Sequence, residues 1–321
     1  MNNKIIIVSG DPNSINSEII FKTWKKLSDV EKRKVYLITN YNLINNQFKK
    51  LKYNIITLKI RNIQEKINSK NLKIINVPIS FNNSFNVTEK ECSKFVSRCL
   101  NLAHKMADEK LIKGFINCPI NKKLLKNSKK IGVTELLASK CKIKDNSELM
   151  LIHNKNFSVA PITTHIKIKN VSKKISTNLI FKKIITLNDQ FKKLFKKKPK
   201  IGILGLNPHN NELSKDSEEI KVIIPAILKL KRKGINITGP LIADTVFINN
   251  YKDYDVIVGM YHDQVLIPFK TIYKFDAINI TLGLNYVRVS PDHGTAADLI
   301  GKNKANPISL FKCIKFIKNL N

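Results

Sequence analysis

The chain has little of what would mark a specialised class. Its five cysteines (Cys92, Cys99, Cys118, Cys141 and Cys313) are odd in number and contain no CxxC pair, which argues against a disulfide framework or a zinc knuckle. Cys92 and Cys99 fall on one helical face and read as core positions, a place free cysteine readily takes. No run approaches the roughly eighteen apolar residues of a membrane span. The opening MNNKIIIVSG lacks the long apolar region and small-residue cleavage site of a secretory signal. It reads as a first strand, so the expectation is a cytoplasmic protein with no membrane partner. No GxGxxG follows a strand, so the dinucleotide fingerprint is missing. No HxH or HExxH is present, and no internal repeat is detectable.

Arginine is the other scarcity. The net charge is +33, yet only five of the 57 basic residues are arginine: Arg33, Arg61, Arg98, Arg232 and Arg288. Arginine is the preferred reader of bases and phosphates. The lysines are scattered, apart from short clusters such as 192–200. A solvated basic surface in a Lys-, Asn- and Ile-rich chain therefore fits better than a nucleic-acid-binding protein, which stays as the remote alternative. Such a field still speeds encounter with anionic small molecules.

What is present is globular: 43% hydrophobic and 25% charged residues over 321 positions, enough for one large or two medium domains. Strand and helix patterns alternate, which predicts an α/β fold. Apolar β-branched runs at Lys4–Gly10, Lys34–Thr39, Tyr53–Leu58, Leu72–Val77, Gly114–Cys118, Lys200–Gly205, Val256–Met260 and Ile278–Leu282 read as strands. Glu148–Ile152 and Phe157–Thr163 read as a hairpin with His153 exposed at its turn. Helices are expected over 15–27, from a Thr88 capping box to about Lys110, over 134–140, over 172–195, and from Asp216 or Ser217 to Lys233. His104 falls off the apolar stripe of its helix and reads as a solvated surface residue.

The chemistry-bearing stretch is Tyr251–Thr295, together with the Asn207-Pro208-His209 turn. Its strands end in polar groups, as active sites of open α/β sheets do. His165, His209 and His262 each follow a predicted strand. They are either three separate polar caps or three convergent imidazoles able to hold a divalent cation with positions left open. Asp263 could orient one of those imidazoles. Lys270, Asn279 and Arg288, at strand ends or in loops, suit a substrate carrying phosphate or carboxylate. His293 is either a site residue or part of a helix cap.

The segments NCPINK (117–122), GVTELLA (132–138), TTHIKIKNV (163–171), GLNPHNNE (205–212), GPLIADTVF (239–247), YDVIVGMYHDQVLIPFK (254–270) and NITLGLNYVRVSPDHGTAADLIGKNKANPISL (279–310) together resemble the 4-hydroxythreonine-4-phosphate dehydrogenase family of pyridoxal phosphate biosynthesis. The resemblance implies two α/β/α domains with a cleft between them, isopropylmalate-dehydrogenase-like, divided here as 1–128 plus 300–321 and 129–299. It implies NAD or NADP and one divalent metal (zinc, magnesium or cobalt) on His165, His209 and His262. Thr134, Lys270, Asn279 and Arg288 would contact a small phosphorylated substrate. The family's site lies at the interface of a homodimer, with one metal histidine, His262, coming from the neighbour. The implied reaction oxidises 4-phosphooxy-L-threonine to 2-amino-3-oxo-4-phosphooxybutanoate, which loses carbon dioxide to give 3-amino-2-oxopropyl phosphate on the way to pyridoxine 5'-phosphate. Lys270 and Asp244 are the candidate bases.

The chain departs from the family at three places. Val133 stands where the family has a substrate-contacting histidine, and Asn210 and Val265 replace glycines usual after NPH and HDQ. A phosphorylated threonate or erythronate is the alternative substrate.

Overall fold

The protein is described by a computed structural model covering residues 3–65, 67–128, 132–143 and 146–320. The expected domain boundary at residue 129 lies outside the described residues. The chain divides into two compact units, one formed by 1–137 and 285–321, the other by 138–284.

In chain order, the first unit contributes β1 (Ile5–Val8), β2 (Val35–Thr39), β3 (Thr57–Ile60), β4 (Leu72–Asn76) and β5 (Gly114–Asn117). The second contributes β6 (Leu149–Asn154), β7 (Phe157–Thr163), β8 (Ile201–Leu204), β9 (Ile237–Leu241), β10 (Val256–Tyr261) and β11 (Ile278–Leu282). The chain then returns to the first unit with β12 (Arg288–Pro291).

The first unit's strands run in the order β3-β4-β2-β1-β5-β12, and every neighbouring pair is parallel. A parallel sheet is covered on both faces, so its strands are near-continuous apolar runs. That is why Ile5–Val8 and Val35–Thr39 are buried at every position and were readable from sequence. β1 stops at a turn through Gly10, whose φ of +73° suits glycine; a Cβ there would meet the Pro119 carbonyl at 2.5 Å.

The second unit's order is β11-β6-β7-β10-β8-β9. β11–β6 and β6–β7 are antiparallel, while β7–β10, β10–β8 and β8–β9 are parallel. Its core gathers Phe157, Val159, Ile257, Val265, Leu266 and Phe269, so the helix after β10 is fastened to the sheet by apolar contact. Parallel β7, β8 and β10 all point their carboxyl ends the same way. The peptide following each therefore emerges along one edge.

The α/β class expected from the alternation is what the structure has. Four local expectations are corrected. His153 is not at the hairpin turn: β6 runs on to Asn154, the turn is Lys155-Asn156, and His153 Nδ1 bonds Ser158 Oγ at 2.9 Å. His104 is half-buried, with Nδ1 2.9 Å from the Tyr286 hydroxyl. The predicted helix over 172–195 breaks at Ile175-Ser176, where the Ser176 side chain accepts from Leu179 N and starts a new helix, Thr177–Phe195. Thr88 does cap its helix through Glu91 N, but the complete reciprocal capping box is at Ser28–Glu31.

Candidate functional site

The expected residues fall in both units, and each part is built differently. In the second unit, His165 lies just past β7 and His262 opens the helix His262–Tyr273 directly after β10. Because β7 and β10 are hydrogen-bonded neighbours, with Thr163 opposite Tyr261, the two histidines meet: their ring centroids are 5.9 Å apart. Thr163, Thr164, His165, Tyr261, His262 and Asp263 line a cleft of about 280 Å³. His262 Nδ1 is 2.6 Å from Asp263 Oδ1. A carboxylate on Nδ1 leaves Nε2 as the outward nitrogen, the arrangement found behind metal-bound histidines.

His209 is placed differently. It stands five residues beyond β8, exposed, with Nε2 4.0 Å from Asp244 Oδ2. Among the described residues, no three His, Cys, Asp or Glu groups are gathered closely enough to hold a metal ion. One chain thus brings His165 and His262 together and leaves His209 apart from them, 4.0 Å from Asp244. By donor chemistry the set still fits a divalent cation: two facing imidazoles, one with a carboxylate behind it, and a third imidazole on an exposed turn.

That turn is held in a costly conformation. His209, Asn210, Asn211, Glu212 and Leu213 all have φ between 47° and 58°, and left-handed backbone costs a non-glycine residue about 1–2 kcal/mol. Asn210 answers the question raised by the missing glycine. It takes φ 58°, which asparagine tolerates better than most, and its Nδ2 donates to the Pro240 carbonyl at 3.1 Å. Val265 needs no glycine at all, since it is helical and fully buried.

Two polar side chains that sequence reasoning missed secure these strand ends. Glu219 Oε1 accepts from Leu206 N at 2.7 Å and Asn207 N at 2.9 Å, and Oε2 accepts from Asn207 Nδ2 at 3.0 Å. Burial would push this carboxyl up; the donors of Asn207 and Leu206 outweigh it and hold the group below the usual carboxylate range. Gln264 Oε1 accepts from Met260 N at 2.7 Å while its Nε2 donates to the Gly205 carbonyl at 2.8 Å. It thereby ties the start of the His209 turn to the strand that carries His262. Neither residue has a sequence signature: Glu219 reads as an acidic residue in a first helical turn, and Gln264 as a helix-surface amide.

Lys270 and Asn279 complete the second unit's share. Lys270 was expected at a strand end or in a loop, but it sits, half-buried, in the last turn of the helix His262–Tyr273. Asn279 lies within β11, and its Oδ1 is buried with no hydrogen-bond partner among the described residues. A buried orphan acceptor at a candidate site is what a missing ligand donor would satisfy. Asp244 opens the short helix Ala243–Asn249 and is exposed.

In the first unit, Arg288 begins β12 at 3% exposure. Its Nε donates to Asn117 Oδ1 at 2.6 Å, and its Nη1 is 3.5 Å from Thr134 Oγ1. Asn117 ends the neighbouring strand β5, and the parallel register sets Arg288 opposite Phe115, so one side chain reaches the next. Burial draws the guanidinium down to about 10, which leaves it cationic at neutral pH. Thr134 and Val133 occupy the first turn of the helix Val133–Lys140. His293 Nδ1 is 3.0 Å from the Gly294 carbonyl, a local contact of the kind a loop makes.

Comparison with known proteins agrees with the resemblance read from the motifs. The family model described as pyridoxal phosphate biosynthetic protein PdxA matches residues 31–317. A curated 4-hydroxythreonine-4-phosphate dehydrogenase from a Sulfurihydrogenibium species is 39% identical over 318 residues, covering 97% of this chain and 96% of that protein. A D-threonate 4-phosphate dehydrogenase from Pectobacterium atrosepticum is 33% identical over 240 residues, covering 73% of this chain and 72% of its own. The crystal structure of 4-hydroxythreonine-4-phosphate dehydrogenase from Klebsiella pneumoniae superposes with a TM-score of 0.84 at 28% identity, over 99% of this chain and 98% of that one. A family model spanning most of the chain, a full-length relative at this identity and a shared fold lead to one conclusion: the chain is a dehydrogenase of the pyridoxal phosphate biosynthetic protein PdxA family.

Proposed function

We propose that the protein oxidises the secondary alcohol of 4-phosphooxy-L-threonine with NAD or NADP, giving 2-amino-3-oxo-4-phosphooxybutanoate, which decarboxylates to 3-amino-2-oxopropyl phosphate. The observation that carries this reading is the facing His165–His262 pair beside Asp263, on a chain whose relatives bear that enzyme's name.

A divalent cation (zinc, magnesium or cobalt) held by His165, His209 and His262 would supply Lewis acidity toward the substrate hydroxyl oxygen. A homodimer would complete the set: one chain gathers His165 and His262, so the neighbour would supply His209 rather than the His262 that the resemblance implied. The chain's own groups do the rest. Arg288, fixed by Asn117 and beside Thr134, binds an anionic group of the substrate. Asn279 meets a substrate donor with its unpartnered Oδ1. Lys270 or Asp244 accepts the hydroxyl proton as hydride leaves the same carbon for the nicotinamide.

The test is turnover of 4-phosphooxy-L-threonine followed by nicotinamide reduction. His209→Ala should abolish both metal retention and activity. Mixing His209→Ala with His262→Ala subunits should restore part of the activity, because one shared site in each mixed dimer keeps both histidines. Full activity of metal-free His209→Ala overturns the scheme. A second reading has its own observation: Val133 stands in place of the family histidine, and one relative is named a D-threonate 4-phosphate dehydrogenase. A higher kcat/KM on phosphorylated threonate or erythronate than on 4-phosphooxy-L-threonine would select it.

A further inference from the structure

The His209 turn raises a physical question that the cation alone does not answer. Five consecutive residues, none of them glycine, sit in left-handed backbone from His209 to Leu213, and such geometry persists only where its surroundings over-determine it. The surroundings here centre on Glu219, with the neighbouring Glu218 Oε2 also accepting from Asn207 Nδ2 at 2.9 Å. Glu219 is fully buried. Three of its hydrogen bonds come from the two residues that lead into the turn: Leu206 N, Asn207 N and Asn207 Nδ2. It opens a π-helical stretch, Glu219–Ile223, a rare local widening found disproportionately at functional sites. Space for the carboxylate is reserved at Gly205, where a Cβ would stand 2.9 Å from Glu219 Oε1 and 2.0 Å from Asn210 Oδ1.

We propose that Glu219 is a positioning residue: it clamps the Leu206-Asn207 peptide so that the strained turn presents the His209 imidazole for cation binding. This rests on the reading of His209 as a cation ligand. Glu219 itself touches neither cation nor substrate. It replaces water at three N–H groups, and any looseness in those bonds is passed to His209 two residues on. Gln264, bridging the Gly205 carbonyl and Met260 N, holds the same turn from its other side, against the strand leading to His262.

The experiment uses the full-length protein and cobalt(II) as the probe. Glu219→Gln keeps the size of the side chain but replaces one acceptor oxygen with a donor facing the Asn207 amide. Cobalt affinity is read by calorimetry and by the visible absorption of the bound ion, and backbone mobility by amide hydrogen exchange over 205–214. Cobalt binding should weaken by about 10–100-fold, the usual loss when a group behind a metal ligand is removed. Exchange at Leu206 and Asn207 should rise, while exchange in β7 and β10 stays unchanged. In the double variant with His209→Ala, the Glu219 substitution should add no further loss, because both changes remove the same ligand.

Unchanged exchange at 206–207, or a cobalt loss fully additive with that of His209→Ala, overturns the proposal. Should Glu219→Gln fail to fold, Glu219→Asp, which keeps the charge and shortens the reach, is read by the same criteria. If His209→Ala alone leaves cobalt affinity intact, the cation reading fails and the positioning role with it. The exchange data then still show whether Glu219 holds the turn, so the two failures can be told apart.

Discussion

Arg288 is one of five arginines in a chain that otherwise uses lysine, and its guanidinium is buried against Asn117 and Thr134. A planar fork fixed at Nε presents its remaining N–H groups in a set direction, which a lysine could not do. Asn117→Ala should therefore act through Arg288. It would leave the charge in place but release its orientation, costing on the order of 1–2 kcal/mol of substrate binding. The expected signature is a KM for the phosphorylated substrate raised roughly tenfold with kcat nearly unchanged, and an unchanged KM for the nicotinamide cofactor. An equal fall in kcat and kcat/KM would instead place Asn117 in the transition state. Arg288 could be picked out from sequence by its rarity. Asn117 could not, because an asparagine at a strand end looks the same whether it caps a turn or orients a cation.

At the scale of elements, the helix Asp29–Lys34 carries a stability device that can be titrated. Glu31 is 2% exposed. Its Oε1 accepts from Lys315 and from Lys318 at 2.8 Å, while Oε2 accepts from Ser28 N at 3.1 Å. The carboxylate thereby fastens this helix to the C-terminal helix Ile308–Asn319. Burial alone would raise its carboxyl; Lys315, Lys318 and the Ser28 amide together pull it down to about 2. A depressed folded-state pKa means that the unfolded chain takes up the proton first. The stabilisation is thus complete above the ordinary carboxylate range and is lost as pH falls toward 2. Glu31→Gln should lower stability at neutral pH by about 1–3 kcal/mol and flatten the acid limb between about pH 5 and 2, followed by fluorescence of the buried Trp24. An acid limb identical to that of the parent protein would remove Glu31 from the account.

Elements also mark how far the sequence could be read. Strands β1, β2, β4 and β5 of the parallel sheet were legible because burial on both faces writes them as apolar runs. In contrast, β3, expected at 53–58, is the partly buried Thr57–Ile60, and β12, the short Arg288–Pro291, was not read as a strand. The His209 turn was not legible: Asn210-Asn211-Glu212 is compatible with an ordinary loop, and the left-handed path is held by long-range contacts of Glu219, Gln264 and Asn210 that local sequence does not show. The break at Ser176 was hidden because serine serves equally as a mid-helix residue or a cap.

For the whole molecule, the net charge of +33 is the property least tied to any single contact. A field of that size should steer a phosphorylated acid toward the protein, and steering of this kind alters association rates by about 10–10³-fold. Salt separates it from binding at the site itself. The screening length falls from about 30 Å at 0.01 M to about 3 Å at 1 M, whereas the hydrogen-bonded contact of a buried arginine is far less screened. Raising ionic strength over that range should lower kcat/KM for the phosphorylated substrate by roughly tenfold or more when encounter limits the rate, with kcat left nearly constant. A rival use of the same charge, attraction of nucleic acid, predicts a different pattern: duplex DNA bound with a steep, linear dependence of log affinity on log salt, and competition by DNA for turnover. Where encounter limits the rate, a salt-insensitive kcat/KM together with no binding of DNA would show that the lysines serve neither purpose and only keep the surface solvated. Loss of turnover on adding DNA at low salt, restored as salt rises, would show that the field captures polyanions indiscriminately. Only the first pattern, a salt-sensitive kcat/KM with constant kcat and no competition from DNA, ties the charge to delivery of the small phosphorylated substrate.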